Sequence, residues 1–401
     1  MKVVRRVLLL SIPLLCMGGT GKWELRDPLT NPGFVHFYNN EFDAAIADFE
    51  KEVQARPNDC EAYNHLAQGI LYRELFRNGA LESQLVSGNN PFLRRPKMDI
   101  SPENKERFNK SINTAIRLSE EELKRDPNDL HGLYCGAVAH GFRANYLFLV
   151  EKSWVESLKE AGAGRKLEQK AVALDPNFID ARLGLGVHDY IVGSLPFYMR
   201  AFGFVAGVHG DKEGGIREIQ EVRAHGILSK YDAEILLAVI YRRERKLQLA
   251  IPLLKEAAEQ FPRNYLFRFE EVQMYSDLGD KRDALAVISE LEHLQRAGAP
   301  EYRDIPPEKI EYMKDNLLFW YNDFDPALNG LKQVTRNAQD LDLNTAVLAW
   351  LRLGQIYDLK GDREDAVGAY REAVRTAPRS QAAAEARGYM AHPYKRARNS
   401  G

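Results

Sequence analysis

Cysteine is scarce in this chain: Cys16, Cys60 and Cys135 are the only three among 401 residues. No C-x2-C, H-E-x-x-H or C-x-x-C-H spacing occurs, which excludes the common zinc and haem arrangements. Charge of one sign is missing too. The 55 basic and 57 acidic residues leave a net charge of −2, and no basic stripe interleaves with aromatics, so nothing points to nucleic acid. Long apolar runs are confined to Val7–Met17, a stretch too short to span a bilayer comfortably. No G-x-S-x-G elbow is present. GVHGDKEGG at 207–215 lacks the GK[ST] ending of a phosphate-binding loop and has no strand before it. With 57 acidic residues on helices, Asp/Glu pairs are unavoidable and read as solvated faces. No catalytic residue, metal or cofactor is expected.

What is there begins with an N-terminal address. Lys2, Arg5 and Arg6 precede the apolar run, and the small residues Gly18, Gly19 and Thr20 follow, the basic–apolar–small order of a secretory signal. Residues 1–20 are expected to direct export to the periplasm or cell envelope, with cleavage near Gly18–Gly21 or retention as an anchor. Leu15 stands before Cys16 where a lipobox has a small residue, so cleavage is favoured over lipidation. Loss of Lys2, Arg5 and Arg6 leaves 52 basic against 57 acidic residues. Cys60 opens one helix and Cys135 sits near the middle of the equivalent helix in the next pair. That offset is roughly 9 Å along a helix, so two buried free thiols are expected rather than a bridge. His131 and Cys135 share a helix face at i, i+4, but His140 points about 140° away from them, and no metal set closes.

The remainder is a helical pattern repeated. Trp350, Leu353, Gly354 and Tyr357 recur at i, i+3, i+4 and i+7. Gly361-Asp362 breaks the helix, and Ala366, Tyr370 and Ala373 mark a second one that stops before Pro378. The segment 349–378 closely resembles a tetratricopeptide repeat (TPR), W-x2-L-G-x2-Y then A-x3-F then P, with Tyr370 in place of Phe. Tyr241 to Tyr275 and Ala250 to Ala284 are both 34 residues apart, the TPR period. Ala284 to Ala327 is 43 and Ala327 to Ala366 is 39, which implies inserted residues. The fold expected is all-α: a right-handed TPR superhelical solenoid over residues 31–391, of about eight helical pairs, closed by a capping helix near Ser380–Ala391. Two excursions interrupt it, at 74–107 and 194–210, and residues 392–401 are expected to be a disordered basic tail. The middle region also resembles, more weakly, the eukaryotic inclusion-body-clearance TPR family. The residues are Gly203-Phe204 and Gly210-Asp211-Lys212-Glu213-Gly214-Gly215-Ile216.

The TPR resemblance implies a concave groove lined by the first helix of each pair. Counting Trp350 as position 4 places Arg242, Phe269, Gln273, Tyr312, Asn316, Phe319, Trp320, Leu351 and Gln355 on it. Aromatic anchors beside amide and guanidinium donors suit a protein or peptide segment, since rings bring large area at low entropic cost. Tyr312, Phe319 and Trp320 are the expected anchors; scaffold packing competes for Phe319 and Trp320. The Lys/Asn/Arg clamp for chaperone tails is absent, because Ile235 and Val239 occupy two of its places. The function expected is a non-catalytic interaction scaffold in the cell envelope. A second reading docks the nearly uncharged excursion 194–208 on a membrane through Phe197, Phe202 and Phe204, and a third places an enzyme of unknown type in the groove.

Overall fold

In the computed structural model, residues 23–81, 98, 100–195 and 210–396 are described. The expected signal segment with Cys16, and Phe197, Phe202 and Phe204 of the second excursion, lie outside them.

Every described element is helical, and the helices pair in chain order. The pairs are α1 (Pro32–Tyr38) with α2 (Phe42–Ala55), α3 (Cys60–Arg77) with α4 (Pro102–Arg125), and α5 (Leu130–Tyr146) with α6 (Trp154–Leu174). Next come α7 (Arg182–Gly193) with α8 (Lys212–His225), and α9 (Lys230–Arg243) with α10 (Leu247–Gln260). The last are α11 (Tyr265–Leu278) with α12 (Lys281–Arg296), α13 (Pro307–Trp320) with α14 (Phe324–Arg336), and α15 (Leu343–Lys360) with α16 (Arg363–Thr376). A seventeenth helix, α17 (Gln381–Ala391), covers the final pair, so eight pairs and a cap stand among the described residues.

The boundaries follow from side chains that satisfy free backbone N–H groups. Asn31, Asp59, Ser101, Asp129, Asn264, Asp280, Asp342 and Ser380 each accept from the first turn of the helix they open. Gly279 and Gly361 end α11 and α15 at φ 88° and 89°, a left-handed conformation that costs a residue with a Cβ. Within pairs, a small residue on one helix faces a ring on the other. A Cβ on Gly354 would lie 2.5 Å from Tyr370 Cε1, and one on Gly33 would lie 2.5 Å from Phe49 Cε1. The wide 43-residue step is filled rather than looped out: Tyr302 and Ile305 fold back and are buried.

Two boundaries differ from expectation. The first excursion is shorter at both ends than 74–107, because α3 runs to Arg77 and α4 starts at Pro102. Its roots are knitted by Arg73, which donates to Asp43 (2.9 Å) and Asn104 (2.7 Å), and by Asn104, which donates to Glu74 (2.9 Å). The described part of the expected basic tail, 392–396, packs back on the last pairs. Tyr394 N donates to Asp358 Oδ2 (2.7 Å), and the Tyr394 ring packs with the core of the last pairs.

The array also closes on itself. A solenoid's contacts normally run only between neighbouring repeats, yet the first pair touches the fifth and sixth. Tyr38 stacks on Phe261 (4.9 Å between centroids) and donates to Asp232 (3.1 Å). Asn264 Nδ2 donates to the Tyr38 carbonyl (2.8 Å), and Arg263 pairs with Glu41 (2.7 Å). Asp27, just upstream, holds Lys230 (2.6 Å), while Phe34, Phe37 and Phe42 join a core shared with α8–α12. Among the described residues no helix is long and apolar enough to cross a membrane.

Candidate functional site

Around the fifth and sixth pairs the expected groove residues are engaged internally. Arg242 is buried and ion-paired with Glu270 (3.0 Å) and Asp277 (3.4 Å). Gln273 donates to the same Asp277 (3.1 Å), and Phe269 is buried against Tyr265. Arg242 and Phe269 are thus closed off, while Gln273 is half-buried. The open polar cleft nearby, about 290 Å³ between Arg223, Lys230, Tyr231, Glu234, Glu256 and Gln260, is lined by charges that pair with one another, such as Arg223 with Glu256.

The seventh and eighth pairs differ. Helix α13 ends on Phe319-Trp320, with the two rings edge to face at 5.2 Å. Phe319 is fully buried whereas Trp320 is 51% exposed. From α15, the Arg352 guanidinium lies over both rings, 4.3 Å from the centre of Phe319 and 4.8 Å from that of Trp320. Its Nε donates to Asn316 Oδ1 (2.9 Å) and its Nη1 to Gln355 Oε1 (2.6 Å). A second guanidinium comes from the chain's last described residue. Arg396 sits 4.8 Å and 5.5 Å from the same two ring centres and donates to the Phe319 carbonyl (2.6 Å). Asp358, whose side chain is wholly buried, fixes that terminal segment by accepting from Tyr394 N, Tyr370 OH (2.8 Å) and Arg363 (2.8 Å).

Electrostatically the platform is one-sided. Among the described residues neither Arg352 nor Arg396 forms an ion pair with a carboxylate; their partners are amides, a backbone carbonyl and π-faces. Burial holds the Arg352 guanidinium below its ordinary pKa, and Arg396 pushes the same way against Tyr312, Tyr394 and Glu385. Stacking on the negative ring faces offsets part of the cost of burying this charge. An anionic group arriving at Trp320 would meet two guanidinium groups, neither of them ion-paired to a carboxylate among the described residues.

Of the nine expected residues, the structure brings Asn316, Phe319, Trp320 and Gln355 into this one platform. Tyr312 and Leu351 lie buried in the adjoining cores. The expected anchors Tyr312 and Phe319, and the expected groove residues Phe269 and Leu351, are buried packing residues, because the pairs stack tightly enough to cover them. Sequence reasoning missed Arg352, Tyr394 and Arg396. The signal available was Tyr394, an aromatic placed inside a basic run that was otherwise read as solvated.

A second grouping lies elsewhere. Cys60, His131 and Cys135 each bring a ligand atom within 4.8 Å of the others. Spacing alone kept the two thiols apart; the structure has both buried and free but adjacent, because α3 and α5 lie side by side.

The tetratricopeptide-repeat family model matches residues 347–380, the eighth pair. The eighth pair is a tetratricopeptide repeat. Among solved structures the chain is similar to yeast Tom70, at 14% identity over 91% of this chain and 88% of that one, with a TM-score of 0.39. It is also similar to human IFIT1, solved as a dimer with m7Gppp-AAAA, at 14% identity over 88% and 78% with a TM-score of 0.39. A third is YrrB, described as a TPR protein with an unusual peptide-binding site, at 16% identity over 67% and 97% with a TM-score of 0.28. No curated protein matches the sequence. Stacked TPR pairs make a scaffold for protein–protein interaction, the use to which such solenoid surfaces are put.

Proposed function

We propose that this TPR protein is an exported, non-catalytic scaffold of the cell envelope that holds an acidic peptide segment of a partner protein on the Trp320 platform. The observation that carries the site is the exposed Trp320 ring flanked by two guanidinium groups with only neutral partners. Trp and Arg are the residue types that dominate binding energy at interfaces, and Arg presents a planar fork suited to a carboxylate. Export is supported by the basic–apolar–small order of residues 1–20.

The test is fluorescence anisotropy of the full-length protein with a library of labelled peptides, each made with free acidic groups and again with amides in their place. Binding is expected to favour the acidic form, and Trp320→Ala or Arg352→Gln is expected to weaken it about tenfold or more, the size of an interface hot spot. Equal binding of acidic and amide peptides would refute the acidic preference. Unchanged binding by both variants, with unchanged circular dichroism, would refute the site.

A further inference from the structure

The second and third pairs bring two thiols, an imidazole and two carboxylates to one point. Cys60 is the first residue of α3 and follows its capping residue Asp59. His131 and Cys135 share a face of α5, and Glu122 comes from the last turns of α4. Both sulfurs are almost fully buried, and the imidazole is 15% exposed beneath the Trp23 ring at 5.0 Å. Cys135 Sγ lies 3.4 Å from His131 Nε2, and Cys60 Sγ lies 4.0 Å from His131 Nδ1.

Tetrahedral zinc holds thiolate sulfur at ~2.3 Å and imidazole nitrogen at ~2.0–2.1 Å, which sets its donors roughly 3.5–3.8 Å apart. A trio already within 4.8 Å reaches that spacing by side-chain rotation alone. The carboxylates complete the arrangement. Glu122 Oε2 faces Nδ1 at 2.9 Å and Asp59 Oδ1 faces Nε2 at 3.6 Å, so whichever ring nitrogen takes the metal, an acid orients the other. Glu122 Oε2 is also 3.9 Å from Cys60 Sγ, near enough to serve as an oxygen donor. Two thiolates and an imidazole select zinc over magnesium or calcium, which require oxygen ligands. We propose that Cys60, His131 and Cys135 form a structural zinc site that pins α3 to α5, with a neighbouring carboxylate completing the shell.

The experiment uses the full-length protein purified under reducing conditions, with zinc alone and cobalt alone as probes. About one zinc per chain is expected by elemental mass spectrometry after dialysis. The cobalt form is expected to show a thiolate-to-cobalt charge-transfer band with tetrahedral visible bands. Glu122→Gln should weaken zinc at least ~10–100-fold, the loss that removal of an outer-shell partner alone brings, and Cys135→Ala or His131→Gln should weaken it further. A folded wild-type protein whose cobalt spectrum lacks the charge-transfer band overturns the proposal. So does a Cys60–Cys135 disulfide that forms in the presence of saturating zinc. Both refuting readings come from the wild-type chain, so a variant that fails to fold leaves the test intact.

Discussion

Adding one methyl group to Gly354 is expected to destabilise the eighth pair, although the same change ordinarily strengthens a helix. In open helix interiors Gly→Ala gains about 1 kcal/mol. At Gly354 the new Cβ would meet Tyr370 Cε1 at 2.5 Å, Cδ1 at 2.7 Å and Cζ at 3.0 Å. The ring has no room to retreat. It is fully buried, its hydroxyl is fixed on Asp358 at 2.8 Å, and Tyr389 lies 5.7 Å behind it. Overpacking of this kind costs ~1–3 kcal/mol, so Gly354→Ala should be net destabilising by about 1 kcal/mol after the propensity gain. Two controls make the reasoning sharp. Gly368, in the partner helix α16, has nothing within 4 Å of an added Cβ, and Gly368→Ala should stabilise by roughly 0.5–1 kcal/mol. In a Tyr370→Leu background the obstructing ring is gone and Gly354→Ala should change sign. Urea denaturation followed by far-ultraviolet circular dichroism gives each difference. If Gly354→Ala stabilises the wild-type chain as much as Gly368→Ala does, the close ring-on-glycine packing is refuted.

Other predictions draw on the buried polar groups. Asp315 is buried with neither carboxyl oxygen hydrogen-bonded; burial first, then Glu311, push its pKa up to about 8 against Lys314. A folded pKa above the unfolded value means the contribution is full below the ordinary carboxylate range and is lost as pH rises through about 8. Asp315→Asn should therefore flatten the fall in stability across that window, measured as the wild-type-minus-variant difference in urea midpoint. Asp180 accepts from three consecutive backbone N–H groups, those of Ile227, Leu228 and Ser229, at 2.8–3.1 Å. Asp180→Ala should cost about 3 kcal/mol by leaving buried donors without a partner. Asp180→Asn should cost less, since burial already raises the carboxyl pKa and disfavours its charge; thermal and urea unfolding rank the two. Asn264→Ala removes the bond to the Tyr38 carbonyl along with the cap of α11, and should cost about 2 kcal/mol. Hydrogen exchange should place the lost protection on α1 and α2 as well as on α11.

The repeat architecture was legible because each pair states itself locally. A 34-residue spacing, a capping Asp or Asn and a stop by Pro or Gly need no tertiary information, and eight pairs with a cap resulted. The site was legible only in part. Helical position placed Asn316, Trp320 and Gln355 near one another, but position cannot tell an exposed ring from one covered by the next pair, so Phe319 and Tyr312 were read as anchors. Arg396 was missed for a related reason: its seat on Phe319 is set by Asp358 capturing the Tyr394 N–H 36 residues away in sequence. The Cys60 thiol joins His131 across 71 residues, and a count along separate helices could not reveal that their ends converge. The curling of the first pair onto the fifth and sixth had no local signal at all.

That curling orders events during synthesis. The carbonyl of Tyr38 leaves the ribosome 226 residues before the Asn264 amide that will hold it. At 5–20 residues per second the wait is roughly 10–45 s, during which the Tyr38 ring lacks its partners Tyr231 and Phe261. An ordinary solenoid can assemble from its leading end as it emerges; here the leading end is among the last parts to be finished. A newly made chain thus carries a sticky N-terminal pair for most of its translation, and a chain cut short before α9 would carry it permanently.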